Sequence, residues 1–330
     1  MLSPRRVVLV TACLVGVGCG DDAMTGPDAG TLPSDGSGTV DTPDADPSTD
    51  VAAVPAGCVT ERGTTDRPDD HTFDQIRVLY VLPSDATDRG YDTSGKICNS
   101  VRAFATWFNA RSNVFLRFDT MGGLVDVGFV RLSKTDAQLR GTDVNNTSIA
   151  TGTAFVRERI ELELEAMGMI APNKMYAVYY DGSSVYACGG GAYPPLIKDR
   201  VGAMYLKGMP PGVVQPCGDT RPWGEPSLAP NYIDYGMLHE VVHSMGFVPS
   251  SAPNQHTTGH VFDGAAAEPA RDLMYSPRTA QDPAWNIDAA GGLLLDINGD
   301  DYYATSPALD LQKSSLLAPL PAGAIRPIGW

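Results

Sequence analysis

His239-Glu240-Val241-Val242-His243 constrains this chain more than any other stretch. Only five histidines occur in 330 residues, and two of them stand four apart with a carboxylate between them. Tyr235, Met237 and Leu238 on one side and Val241, Val242 and Met245 on the other predict a helix. On a helix, positions i and i+4 lie on one face, nearly above one another, so both imidazoles point to one place. Gly246 follows three residues after His243. A glycine there can take the left-handed conformation that ends a helix, turning the chain sharply back towards the histidines.

Two convergent imidazoles are zinc ligands in waiting, and Glu240 can reach a water on the metal. Zinc lowers the pKa of that water; the carboxylate takes its proton during attack on a carbonyl and passes it to the leaving amine. The stretch H-E-x-x-H-x-x-G-F from His239 to Phe247 resembles the metzincin clan of zinc endopeptidases. The usual metzincin has its third His three residues beyond the Gly, where this chain has Pro249, which cannot ligate. The third ligand is therefore expected further on. Gly259-His260-Val261-Phe262-Asp263, followed by Asp272-Leu273-Met274-Tyr275-Ser276-Pro277, looks like the matrixin segment with an insertion. An insertion at this point is also similar to leishmanolysin-type enzymes. By that resemblance His260 is the third ligand and Met274 the Met-turn residue. Asp263, His256 and Glu268 are the alternative third ligands, and Asp263 could instead support a ligand His.

The body reads as α+β. Ile76–Leu82, Val114–Phe118, Leu124–Leu132, Met175–Tyr180 and Val201–Leu206 are predicted strands, rich in β-branched and aromatic residues. Ile97–Ala110 and Thr153–Met167 carry apolar residues at helical spacing. That order predicts a mixed twisted sheet backed by helices. A zincin-like domain of this kind would span 58–330, its upper part running to about 247 with the active-site helix. The lower part, 248–330, would be loop-rich, with one helix near Leu309–Leu317. The resemblance implies a substrate peptide paired with an edge strand, taken to be Val201–Leu206 or its neighbouring loop.

Residues 1–19 read as a secretory signal: Arg5 and Arg6 precede a short apolar run that is too short to span a membrane. Gly16-Val17-Gly18-Cys19 resembles a bacterial lipobox, with Cys19 lipidated; plain secretion is the alternative. Residues 20–57 hold eight Asp, no Lys, Arg or Glu, and hardly a large apolar side chain. Such a segment cannot offset its ordering entropy and reads as a disordered linker. The chain would then be exported and tethered to the cell envelope, touching a membrane only through its lipid. The net charge of −15 argues against a nucleic-acid partner, which needs a basic face. Four cysteines remain beyond the signal, and in an exported chain they suggest two disulfides, Cys58–Cys98 and Cys188–Cys217 being the preferred pairing.

Asp296-Ile297-Asn298-Gly299-Asp300-Asp301 offers oxygens at alternating positions, as a Ca2+ loop would, but lacks the later Glu of an EF-hand. An acidic turn is the competing reading. The residues together imply a zinc metalloendopeptidase acting on a protein or peptide. A catalytically inactive zincin-fold surface binding protein is the alternative, and a structural zinc site a third.

Overall fold

The computed structural model describes residues 53–140, 156–192, 200–210, 212–227, 229–246, 248–256, 259–262, 269–277, 282–303, 311–327 and 330. Five strands build the main sheet: β1 (Gln75–Leu82), β2 (Val127–Arg131), β3 (Lys174–Tyr180), β4 (Gly189–Gly190) and β5 (Val201–Tyr205). Their spatial order is β2-β1-β3-β5-β4. The first four in that order run parallel, and β4 is antiparallel to β5 at the edge.

Parallel strands are covered on both faces, which is why β1 and β3 read as continuous apolar runs. Along β1, Ile76, Val78, Tyr80 and Leu82 enter one core, and Leu79 and Val81 enter the other. In β3, Met175, Ala177 and Tyr179 alternate in the same way with Tyr176, Val178 and Tyr180. The first core is completed by helix α1 (Lys96–Ser112) and the active-motif helix, Tyr232–Ser244. The second is completed by α2 (Asp136–Arg140) and α3 (Val156–Ala166), through Leu139, Val156, Ile160 and Leu164. The motif helix, the last of the four, is α4. Mixed α and β structure is thus present as expected, with helices on both faces of the sheet.

Several boundaries differ from expectation. Val114–Phe118 contains only a two-residue strand, Phe115–Leu116, because its partner is equally short: Leu317–Ala318, antiparallel. That pairing also explains why the helix expected at Leu309–Leu317 reduces to a 3-10 turn, Leu311–Lys313; residues 309 and 310 lie outside the described residues. Leu124–Leu132 is interrupted at Asp126, whose carboxylate turns inward to Arg67. α3 begins at Val156, with 153–155 outside the described residues. Residues 53–57 of the expected linker already join the body, since Gly57 O accepts Val125 N at 3.1 Å. Residues 1–52, including Cys19, lie outside the described residues.

Both disulfides occur as paired in the sequence reading, Cys58–Cys98 and Cys188–Cys217. The first ties the N-terminal segment to α1, and the second closes the segment around β4 and β5. No helix among the described residues is long and apolar enough to cross a membrane.

Candidate metal centre

α4 starts on a capping box. The Asn231 side chain accepts from backbone N–H groups of the first turn, and Asp234 Oδ2 accepts Asn231 N at 2.9 Å. Residues 233–244 are all buried, since α4 lies between the sheet and the C-terminal segments. The helix ends as its sequence dictates: Gly246 has φ +97° and donates its N–H to His243 O at 2.9 Å.

A two-strand hairpin then brings back the third imidazole. Gln255–His256 (β6) pairs antiparallel with His260–Val261 (β7), placing His256 opposite His260. His243 Nε2 lies 3.0 Å from His239 Nε2 and 3.1 Å from His260 Nε2. All three rings are at most 3% exposed. His239 Nδ1 donates to Leu273 O at 2.6 Å, which leaves the Nε2 lone pair aimed at the other two nitrogens. Burial pushes the His239 imidazole down to about 4, against the opposing pull of the Leu273 carbonyl. Burial, then His260 and His239, hold His243 well below the usual range. Neutral imidazoles meeting nitrogen to nitrogen have too few protons to hydrogen-bond one another fully. A shared cation resolves the conflict. Two bonds of about 2.1 Å at a tetrahedral angle put their nitrogens roughly 3.3–3.4 Å apart, close to the separations here. The donor set therefore fits a zinc ion.

Glu240 is fully buried, and neither carboxylate oxygen has a hydrogen-bond partner. Burial drives its pKa well above the ordinary carboxylate range, with Arg157 opposing. Edge strand β4 passes directly over it. A Cβ on Gly189 would come within 3.0 Å of Glu240 Cδ, and one on Gly191 within 2.5 Å of His243 Cβ. The glycines are thus the condition for sheet edge and carboxylate to approach so closely.

No family model matches the chain. None of the curated proteins matches it. Among solved structures, the crystal structure of wild-type OgpA from Akkermansia muciniphila is similar over 58% of this chain and 52% of that one. The identity is 14% and the TM-score 0.32, a likeness too slight to carry fold or function. The chain spans about half the length of that protein.

His239, His243 and His260 are thus brought together as expected, beside Glu240. His256 is not part of the nitrogen cluster. Its Nε2 donates to Ser276 O at 3.0 Å and its ring packs on Phe262. Asp263 and Glu268 lie outside the described residues. Met274 is wholly buried in the turn whose Leu273 carbonyl orients His239, and its own carbonyl accepts Val261 N at 2.8 Å. The turn is pinned by Asp272, whose Oδ1 accepts Met274 N at 2.7 Å.

Sequence reasoning missed Asp272 as a support and Trp285 as a wall. The Trp285 ring stands edge-to-face on His239 at 5.7 Å, and its indole N–H donates to Asp272 O at 2.9 Å. No motif surrounds Trp285. The glycine run 189–191 gives no strand signal, because glycine is depleted in strands. The expected edge, Val201–Leu206, is an inner strand (β5); the edge is β4, in its neighbouring loop.

Proposed function

We propose that this chain is a zinc-dependent endopeptidase of the metzincin type. The observation that carries the reading is the meeting of three imidazole Nε2 atoms beside a buried, unpartnered carboxylate. A bound zinc supplies Lewis acidity and lowers the pKa of water at the site. His239, His243 and His260 would hold it, with His239 oriented by Leu273 O. Glu240 accepts the proton of the attacking water on a carboxylate oxygen and delivers it to the leaving amine nitrogen. Among the described residues the edge strand beside Glu240 is β4, and an extended peptide could add there as a further strand.

We also propose that the protein is exported and anchored through a lipid on Cys19. Two disulfides accord with an oxidising compartment. The acidic charge argues against a nucleic-acid substrate.

Metal removal tests the central claim. Purified protein is expected to cleave a denatured protein substrate, to lose that activity on chelation, and to regain it with one equivalent of zinc. Undiminished cleavage by protein shown to be metal-free would refute the reading. A second expectation concerns the glycine edge. Gly189→Ala would place a methyl against Glu240 and Met204, forcing the carboxylate aside. A displacement approaching 1 Å costs on the order of 100-fold in rate. The variant should show that loss in kcat at unchanged zinc stoichiometry; wild-type kcat would show that β4 does not constrain Glu240.

A further inference from the structure

The acidic run at 296–301 has no part in the proposed chemistry, yet it is built into the site's supports. Asp296 Oδ1 accepts Asp301 N at 3.1 Å, and Oδ2 accepts Tyr302 N at 2.9 Å together with Tyr303 N. Asp301, only 1% exposed, turns both oxygens to one residue: Oδ1 accepts Asn254 N at 2.8 Å and Oδ2 accepts Asn254 Nδ2 at 3.1 Å. Asn254 immediately precedes β6, and its carbonyl accepts Phe262 N at 2.8 Å just beyond β7. Asp301 therefore grips the residue that closes the open end of the His260 hairpin.

The same run reaches the other support. Ile297 N donates to Asp272 Oδ2 at 2.8 Å, and Tyr302 Oη donates to Asp272 Oδ1 at 3.0 Å. Asp272 holds Met274 N, and the intervening Leu273 carbonyl orients His239. One turn thus braces two imidazoles that come from separate segments of chain. The carboxylates of Asp296, Asp300 and Asp301 are close enough to surround a cation. Four of those oxygens, on Asp296 and Asp301, already accept N–H groups.

The need for a brace is physical. A hairpin with two residues in each strand has little stability of its own, so its placement must come from outside. Ligand geometry is commonly set by such outer partners, whose loss weakens metal binding by 10–100-fold.

We infer that Asp301 is a positioning residue for His260: its bidentate grip on Asn254 sets the hairpin so that His260 Nε2 meets those of His239 and His243. This rests on the reading of the three histidines as a metal site. Full-length protein stripped of metal and titrated with Co2+, followed by visible absorption, tests it without reference to activity. Wild type should bind one equivalent with the intense band of a four-coordinate ion. Asp301→Ala should bind about 10–100-fold more weakly, with an altered band. Asp301→Asn, whose amide oxygen can still accept Asn254 N but whose amide nitrogen cannot accept from Asn254 Nδ2, should fall between the two, several-fold below wild type. Thermal unfolding of the metal-free variants separates position from stability. An Asp301→Ala protein that melts lower but keeps wild-type Co2+ affinity and spectrum would overturn the inference and leave the metal site standing. Absence of Co2+ binding by the wild type would overturn both. If Asp301→Ala does not fold, Asn254→Ala decides, since it removes only the side-chain donor. A several-fold weaker affinity supports the brace, and unchanged affinity overturns it.

Discussion

Glu240→Gln is expected to abolish peptide hydrolysis while the metal stays bound. The substitution keeps shape and volume and removes only the ability to take a proton. General-base catalysis by a positioned side chain contributes 10²–10⁴-fold, so a loss on the order of 10³-fold in kcat is expected at saturating substrate. Zinc stoichiometry should not change, because Glu240 is not in the nitrogen cluster of His239, His243 and His260. Stability should not fall either. The carboxyl group is buried without a hydrogen-bond partner, so an amide of the same shape breaks no hydrogen bond there. The measurement is kcat on a denatured protein beside metal content and melting temperature. A variant retaining more than about a tenth of wild-type kcat with full zinc would remove Glu240 from the role of base.

Lys174→Met is expected to produce the largest loss of stability. Lys174 is 1% exposed at the start of β3, and its Nζ donates to Asp69 at 2.6 Å, Asp119 at 2.8 Å and both oxygens of Asp66 at 2.8 and 2.9 Å. Asp119 is as deeply buried as the lysine. Removing one partner of a buried pair costs about 3–5 kcal/mol, because the remaining charge has neither water nor counter-ion. Arg77 stays 3.3 Å from Asp119, which places the expectation at the lower end, near 3 kcal/mol. Urea unfolding with the disulfides intact measures it. A midpoint shift worth less than about 1 kcal/mol would mean that Arg77 alone satisfies the cluster. A double variant, Lys174→Met with Asp119→Leu, should recover much of the loss, since replacing both partners with apolar groups removes the stranded charge.

The site was legible in proportion to how local its geometry is. His239, Glu240 and His243 belong to one helix turn, and the i, i+4 rule places them without reference to the rest of the chain. Gly246 ends α4 in the left-handed conformation its position predicts. β1 and β3 were likewise legible, as continuous apolar runs, because each side chain enters one of two cores.

His260 and His256 show the limit. They stand four apart after the same helix and are equivalent as residue types. They are separated only by the hairpin, which pairs them across two strands and sends His256 to Ser276 O and His260 to His243. The edge strand was illegible for a related reason. β4 consists of glycines because Glu240 occupies the space a side chain at 189 would need and the Tyr205 hydroxyl the space at 190, so the feature that makes it fit erases its strand signal. Phe115–Leu116 and Leu317–Ala318 are two-residue strands defined by each other across two hundred residues of chain. No local pattern announces such a pair.

The sequence by itself determined the chemistry on offer: which helix, which two imidazoles, which carboxylate, and cysteines in a number that pairs. Those follow from short-range periodicity and from the chemical nature of the side chains. Only the tertiary structure decided which later imidazole completes the cluster, which strand lies over Glu240, and what braces the hairpin and the Leu273 turn. These depend on hydrogen bonds such as Asp301 to Asn254 and Tyr302 to Asp272, whose partners are distant in sequence and become neighbours only once the C-terminal loops pack against α4.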